Sequence, residues 1–174
     1  PPDITSLLGD LKQKKPKSKG SHGILVKGEA GLMVRLARCC TPVPGDVIIG
    51  YITRGRGVTV HRADCTNVIT YPEEYERIIE VEWDNGGANI YAVPIEISCM
   101  DRAGVLSEIL MVASESKVNL SSVNAKTHKD KNHPAIISLT LEVNNLTQLE
   151  QIMNKMRKVK DVYNAQRINT GVGL

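Results

Sequence analysis

From residue 90 onward, the apolar positions keep two clean periods. In IYAVPIEISC, Tyr91, Val93, Ile95, Ile97 and Cys99 take every second position, the spacing of a strand with one buried face. Val105, Leu106, Ile109, Leu110, Val112 and Ala113 then recur at helical spacing. VNLSSVNAKTHKD and HPAIISLTLEVN read as two strands joined by the turn KDKNHP, with Ala135, Ile137, Leu139, Leu141 and Val143 alternating in the second. Leu149, Ile152, Met153 and Met156 predict a second helix, capped by Asn145 or Thr147, and VYNAQRI predicts a last strand. The order β-α-β-β-α-β is the split βαβ, ferredoxin-like arrangement, with two helices over one face of a four-stranded antiparallel sheet.

Upstream the pattern is shorter and less regular. GILVKG, LMVRLA, DVIIGYIT and VTVHR are strands rich in Val and Ile, separated by Gly and Pro signals. Asp64 or Thr66 offers an N-cap for a short helix in RADCTNVITYPEEY, and RIIEVEW reads as a closing strand. The expected fold class is therefore α+β. Residues 22–83 form a small, mostly-β cysteine module, 84–89 (DNGGAN) a linker, and 90–170 the ferredoxin-like βαββαβ domain. Residues 1–21 read as the end of an upstream helix followed by a flexible basic linker. A start at Pro1 without Met suggests a piece of something longer. At about 60 residues the first module has a marginal core, and a metal staple would help it.

Composition narrows the function classes. With 41% hydrophobic residues the chain has ordinary globular content. No apolar run approaches the roughly 18 residues of a membrane helix, and the first 20 residues lack a signal peptide's apolar stretch, so a cytoplasmic location is expected. Four cysteines are too few for a disulfide scaffold, and a reducing compartment favours metal or thiol chemistry. The net charge of +3 hides an asymmetry: residues 1–71 hold 11 Lys/Arg against 5 Asp/Glu, and residues 72–174 hold 11 against 14. The basic part suits a phosphate backbone, although five of its lysines lie in the linker, where a solvated run is the plain alternative.

The chemistry is concentrated in RCCTPVPGD and HRADC, which give the constellation Cys39, Cys40, His61 and Cys65. Adjacent Cα atoms sit about 3.8 Å apart, below the relaxed disulfide range, so a Cys39–Cys40 bridge would be strained. A nucleophilic thiol with His61 as base lacks a companion carboxylate and an oxyanion-binding turn. Three thiolates and one imidazole suit a closed, structural tetrahedral zinc site. Neighbouring side chains in an extended strand point to opposite faces, so both cysteines can ligate only if the chain is kinked there, as Pro42 and Pro44 permit. The alternatives are a buried cluster without metal and redox chemistry. Around it lie Arg35, Arg38, Arg54, Arg56 and Arg62, with TRGRG as a hairpin tip that reaches for RNA phosphates or forms an ordinary solvated turn. Tyr51 is the single aromatic residue nearby, so base-specific reading is not expected.

The segment VRLARCCTPVPGDVIIGYITRGRGVTVHRADCTNV resembles the conserved-cysteine, zinc-finger or RIS module near the C-terminus of long RelA/SpoT homologues. VPIEISCMDRAGVLSEILMVASESKVNLSSVNAK is similar to the ACT domain that follows it in those proteins. The likeness is closer to a bifunctional Rel of a Gram-positive bacterium than to a monofunctional synthetase. It implies a parent that transfers pyrophosphate from ATP to GTP or GDP, as a GTP pyrophosphokinase using Mg²⁺. The same parent would hydrolyse (p)ppGpp at a Mn²⁺-dependent HD site; neither catalytic domain lies within these residues. It implies that this region is non-catalytic and regulatory. It would engage the stalled ribosome at large-subunit rRNA, with deacylated tRNA in the A site, and signal to upstream catalytic domains of the stringent response.

By the same resemblance, Cys39, Cys40, His61 and Cys65 shape the rRNA-contacting module, possession of zinc being open, and Arg38, Arg54, Arg56 and Arg62 are candidate phosphate contacts. ACT domains commonly bind an amino acid between paired modules, here a branched-chain amino acid at a homodimer interface. The loop DRAGVL matches the usual D/N-R-P-G-V-L except for Ala103. It assigns Asp101 to the ligand amine, the backbone around Gly104, Val105 and Leu106 to its carboxylate and Asn119 to a second clamp, with Arg102 and Ala103 as further binding candidates of the loop. A binding-free ACT domain that pairs with rRNA or another domain is the alternative. An amino-acid-binding, dimerising unit of another metabolic enzyme is the competing function class.

Overall fold

The computed structural model describes residues 21–27, 32–52, 57–70, 78–84, 89–130 and 132–169. The basic linker, the tip with Arg54 and Arg56, and the YPEEY stretch lie outside the described residues.

The first module places Val34, Val58, Val60 and Ile79 on one sheet face. Strands β2 (Met33–Leu36), β4 (Gly57–Arg62), β3 (Ile48–Ile52) and β5 (Ile78–Ile79) pair in that order, with β2 parallel to β4 and the other pairs antiparallel. A ribbon of β1 (Ile24–Val26) and β6 (Val81–Trp83) covers the apolar face, where Ile24 and Val81 join the buried cluster. The expected closing strand RIIEVEW is thus two strands, Ile78–Ile79 on β3 and Val81–Trp83 on β1. The two halves serve different partners. Gly50 permits this crossing, since a Cβ there would stand 2.7 Å from Val81 Cγ1. The short helix α1 (Thr66–Thr70) begins directly after Cys65, and the Asp64 carboxylate pairs with Arg62 at 2.6 Å.

The second module follows the predicted order. Strands β7 (Tyr91–Cys99), β8 (Asn119–Lys126), β9 (Ala135–Val143) and β10 (Val162–Arg167) form an antiparallel sheet in the order β10-β7-β9-β8. Helices α2 (Val105–Glu115) and α3 (Leu146–Arg157) bury Ile109, Leu149, Ile152 and Met156 against Val93, Ile95, Ile97, Leu139 and Leu141. Asn145 caps α3, its side chain accepting from Gln148 N at 2.8 Å, while Gln148 Oε1 accepts from Asn144 N at 2.7 Å.

The two modules share packing that the alternation does not foreshadow. Val43, from the cysteine module, is fully buried in the core cluster of the second one. Pro44 O accepts from Leu146 N at 2.8 Å, so a carbonyl of the first module satisfies an otherwise unpaired amide of α3. Gly45, at φ +110, lies so close to Leu146 that a Cβ there would stand 2.8 Å from the leucine Cβ. Trp83 packs edge-on against Tyr91 and donates to Asp46 O at 3.0 Å.

Candidate metal centre

Cys39 and Cys40 follow β2 directly. Their segment is a turn closed by Thr41 N donating to Ala37 O at 3.0 Å, with Thr41 at φ +43. A helical turn sets successive side chains about 100° apart instead of the 180° of a strand, which is how adjacent cysteines come to face one point. The kink therefore precedes Pro42 and owes its shape to the Ala37–Thr41 turn, not to the prolines alone. His61 is on β4, and the turn closed by Cys65 N donating to Arg62 O at 3.0 Å brings Cys65 beneath it.

All four ligand atoms lie within 4.8 Å of one another. Cys39 Sγ stands 3.9 Å from Cys40 Sγ, 3.6 Å from Cys65 Sγ and 3.4 Å from His61 Nδ1, and Cys40 Sγ stands 3.8 Å from His61 Nδ1. A tetrahedral zinc with Zn–S of about 2.3 Å and Zn–N of about 2.0–2.1 Å sets S···S near about 3.8 Å and S···N near about 3.6 Å. The spacing of these four pairs fits that ion. It does not fit a formed disulfide, and all four cysteines of the chain are free.

The surroundings favour the neutral forms of Cys39, Cys40 and His61 when no cation is bound. Burial, followed by the neighbouring Cys65, pushes the Cys39 thiol up; burial pushes Cys40 up strongly, against the amide of Arg62, which donates to its sulfur at 3.3 Å. Burial alone pushes His61 down. Neutral imidazole is ready to ligate, whereas thiols must surrender protons to a cation. Tyr51 packs edge-on against His61 at 5.6 Å and is buried, so it is not displayed for base stacking.

Of the candidate phosphate contacts, Arg38 is exposed, Arg62 is half-buried and shares its charge with Asp64, and Arg54 and Arg56 lie outside the described residues. The amino-acid loop is placed differently from the cluster. Gly104, at φ +85, precedes α2 and supplies no side-chain cap, leaving the first-turn amides of that helix to other acceptors. Arg102 is committed to holding the loop: Nε meets Asp161 Oδ2 at 2.6 Å, and Nη2 meets Glu108 Oε2 at 2.8 Å and Lys160 O at 2.9 Å. Asp101, Ala103 and Gly104 are exposed, Leu106 is half-buried, and Val105 is in the core. Asn119 donates to Glu142 Oε2 at 2.8 Å and shares its row with Ala92, whereas the loop follows Cys99. Seven strand residues separate those rows, about 24 Å, so one chain does not bring Asn119 to Asp101.

Residues 24–84 match the family model described as the RelA/SpoT RIS domain, and residues 87–167 match that of an ACT domain. The chain is thus built of a RelA/SpoT RIS domain followed by an ACT domain. It is 39% identical over 157 residues to the bifunctional (p)ppGpp synthase/hydrolase RelA of Mycobacterium tuberculosis, covering 90% of this chain and 21% of that protein. It is 40% identical over 157 residues to the GTP pyrophosphokinase of Streptomyces coelicolor, covering 90% and 18%, and 35% over 167 residues to that of Escherichia coli, covering 93% and 22%. The chain thus spans about a fifth of the length of the curated relatives it matches. The crystal structure of the ACT domain from the GTP pyrophosphokinase of Chlorobium tepidum is 25% identical, covering 46% of this chain and 100% of that one, with a TM-score of 0.41. The Cys3His cluster falls inside the RIS match and the DRAGVL loop inside the ACT match. Among the described residues no helix is long and apolar enough to cross a membrane.

Sequence reasoning overlooked two residues that shape the RIS site, Asp46 and Arg167. Asp46 was legible as the last residue of a Pro-Gly-Asp turn. Nothing near Arg167 announces a partner 121 residues away.

Proposed function

We propose that this RIS–ACT region is a non-catalytic regulator of a (p)ppGpp synthetase/hydrolase. In this reading it docks on the ribosome through large-subunit rRNA when deacylated tRNA fills the A site, and passes that state to the upstream catalytic domains. The observation that carries the reading is the assembled Cys3His cluster inside a matched RIS domain, directly packed on a matched ACT domain. Zinc held by Cys39, Cys40, His61 and Cys65 would fix the Ala37–Thr41 turn and the end of β4, and so the placement of Arg38 and Arg62. The chemistry supplied by the ion is structural: four protein ligands leave no open position for substrate.

Sedimentation of the 174-residue chain with ribosomes carrying deacylated A-site tRNA tests this. Co-sedimentation should weaken steeply with salt, as phosphate contacts require, and R38A should reduce both the affinity and the salt slope. Association that ignores salt, or that survives loss of the cluster in C65S unchanged, counts against it.

A second reading, amino-acid sensing, draws on the uncapped start of α2 beside exposed Asp101. Since Asn119 is at the far end of the sheet, this reading requires a second copy to supply the second clamp. Titration calorimetry with leucine, isoleucine and valine tests it, and binding by a strictly monomeric chain would contradict the two-copy geometry.

A further inference from the structure

Arg167 ends strand β10 of the ACT domain, yet its guanidinium lies among RIS residues. Nη1 meets Asp46 Oδ1 at 3.0 Å and Nη2 meets Asp46 Oδ2 at 3.0 Å, a two-pronged pair whose side chains are 11% and 7% exposed. Nη2 also donates to Thr41 O at 2.7 Å and stands 3.5 Å from Cys40 O. Asp46 in turn accepts from Val43 N at 2.8 Å. The pair thus grips the Cys40–Asp46 loop at both ends: the guanidinium holds the carbonyls just past the second cysteine, and the carboxylate holds the amide beyond Pro42. This grip falls where the backbone needs it. Thr41 is β-branched and sits at φ +43, a conformation that persists only when its surroundings enforce it.

We propose that Arg167 is a positioning residue of the Cys3His centre, holding the backbone of Cys40 and Thr41 in the turn that points both adjacent cysteines at His61 and Cys65. The ligand geometry of the RIS domain then depends on the docking of the ACT domain. By linkage, whatever factor docking adds to cation affinity, the cation adds to docking. The statement about a cation rests on the functional reading above; the statement about the loop rests on the hydrogen bonds.

The test uses the 174-residue chain, R167A, R167K and N145A. The last variant removes the α3 cap beside the Leu146–Pro44 contact, lowering stability at that same junction while leaving every hydrogen bond of Arg167 and Asp46 in place. In metal-free protein, alkylation by iodoacetamide is followed at each cysteine by mass spectrometry, with fully buried Cys99 as the reference for global opening. R167A should raise the rate at Cys39 and Cys40 relative to Cys99 about tenfold, R167K by less because it keeps a charge without the fork, and N145A not at all. Zn²⁺ affinity, measured by competition with a chromophoric chelator, should fall about tenfold or more in R167A and stay unchanged in N145A. An unchanged reactivity ratio in R167A overturns the positioning role, as does a zinc loss in N145A equal to that in R167A. If R167A unfolds, Cys99 reacts as fast as Cys39, and the ratio in R167K decides by the same criterion. A wild-type chain that takes up no zinc, with a raised ratio in R167A, removes the metal reading and leaves the positioning role standing.

Discussion

Cys39 Sγ lies 3.6 Å from Cys65 Sγ across 26 residues of chain, the separation of two ligands on one small ion and not of a bond. Substituting Cys65 by Ser should therefore lower Zn²⁺ affinity more than the roughly 10–100-fold typical of lost outer-shell partners. Co²⁺ substitution offers the direct readout: the wild-type cluster should give an intense tetrahedral visible spectrum with a thiolate charge-transfer band, and C65S should weaken both. A wild-type spectrum typical of six-coordinate Co²⁺ would refute the ligand set.

Without metal, stability should be confined to a window of pH. The lowered His61 pKa contributes stability that is complete above its ordinary value of 6.5 and is lost as pH falls through the lower folded value. The raised Cys39 and Cys40 pKa values act in the opposite sense: their contribution is complete below the ordinary thiol value of 9.0 and is lost as pH rises through the folded values. Thermal melts of chelator-treated protein from pH 5 to 10 should show a Tm plateau near neutrality with a decline on each side. Zinc affinity should rise with pH across that plateau, about tenfold per unit for each thiol proton released.

Val43 should behave as a residue of both domains. Truncation to alanine removes two methyl groups from a fully buried site and should cost about 2 kcal/mol. Because the chain has one tryptophan, at the junction, Trp83 fluorescence reports the interface while far-UV dichroism reports mainly the ACT sheet and helices. Urea transitions by the two probes should shift together in V43A. A shift in fluorescence alone would mean that the ACT core does not depend on this side chain.

Asp101 and Arg102 are neighbours with opposite expected phenotypes. Asp101 is exposed, so D101A should change stability by less than about 0.5 kcal/mol, and any loss of amino-acid binding in it would report a ligand contact. Arg102 ties the loop to Asp161 and Glu108, so R102A should lower stability, most visibly at low salt. Paired denaturation curves at low and high ionic strength check this.

The ACT domain was legible because its two central strands and both helices bury regular stripes: the alternation of Tyr91 to Cys99 and of Ala135 to Val143 appears unchanged in the burial of β7 and β9, while edge strand β8 buries none of its residues. The Cys3His set was legible as a set, since its residue types specify the chemistry, but its geometry was not. Whether Cys39 and Cys40 converge depends on a turn closed at Ala37 and stabilised from another domain. Val43 shows the same limit: a valine between two prolines carries no periodic signal, and its burial is decided by a domain it does not belong to. The split of RIIEVEW was hidden for a related reason, because each half is apolar enough for a strand and only the choice of partner separates them.

The pairing of Ile24 with Trp83 has a mechanical consequence. Entry to and exit from the RIS domain lie side by side, joined by Asp84 N donating to Gly23 O at 2.7 Å. Tension applied along the backbone at those two points meets the β1–β6 ribbon end-on, so its rungs open one at a time from Asp84–Gly23 inward. The cysteine cluster lies off that line of force. A polypeptide pulled from both sides would therefore yield first at its ribbon, like a zip, while the part that holds the four ligands is still intact.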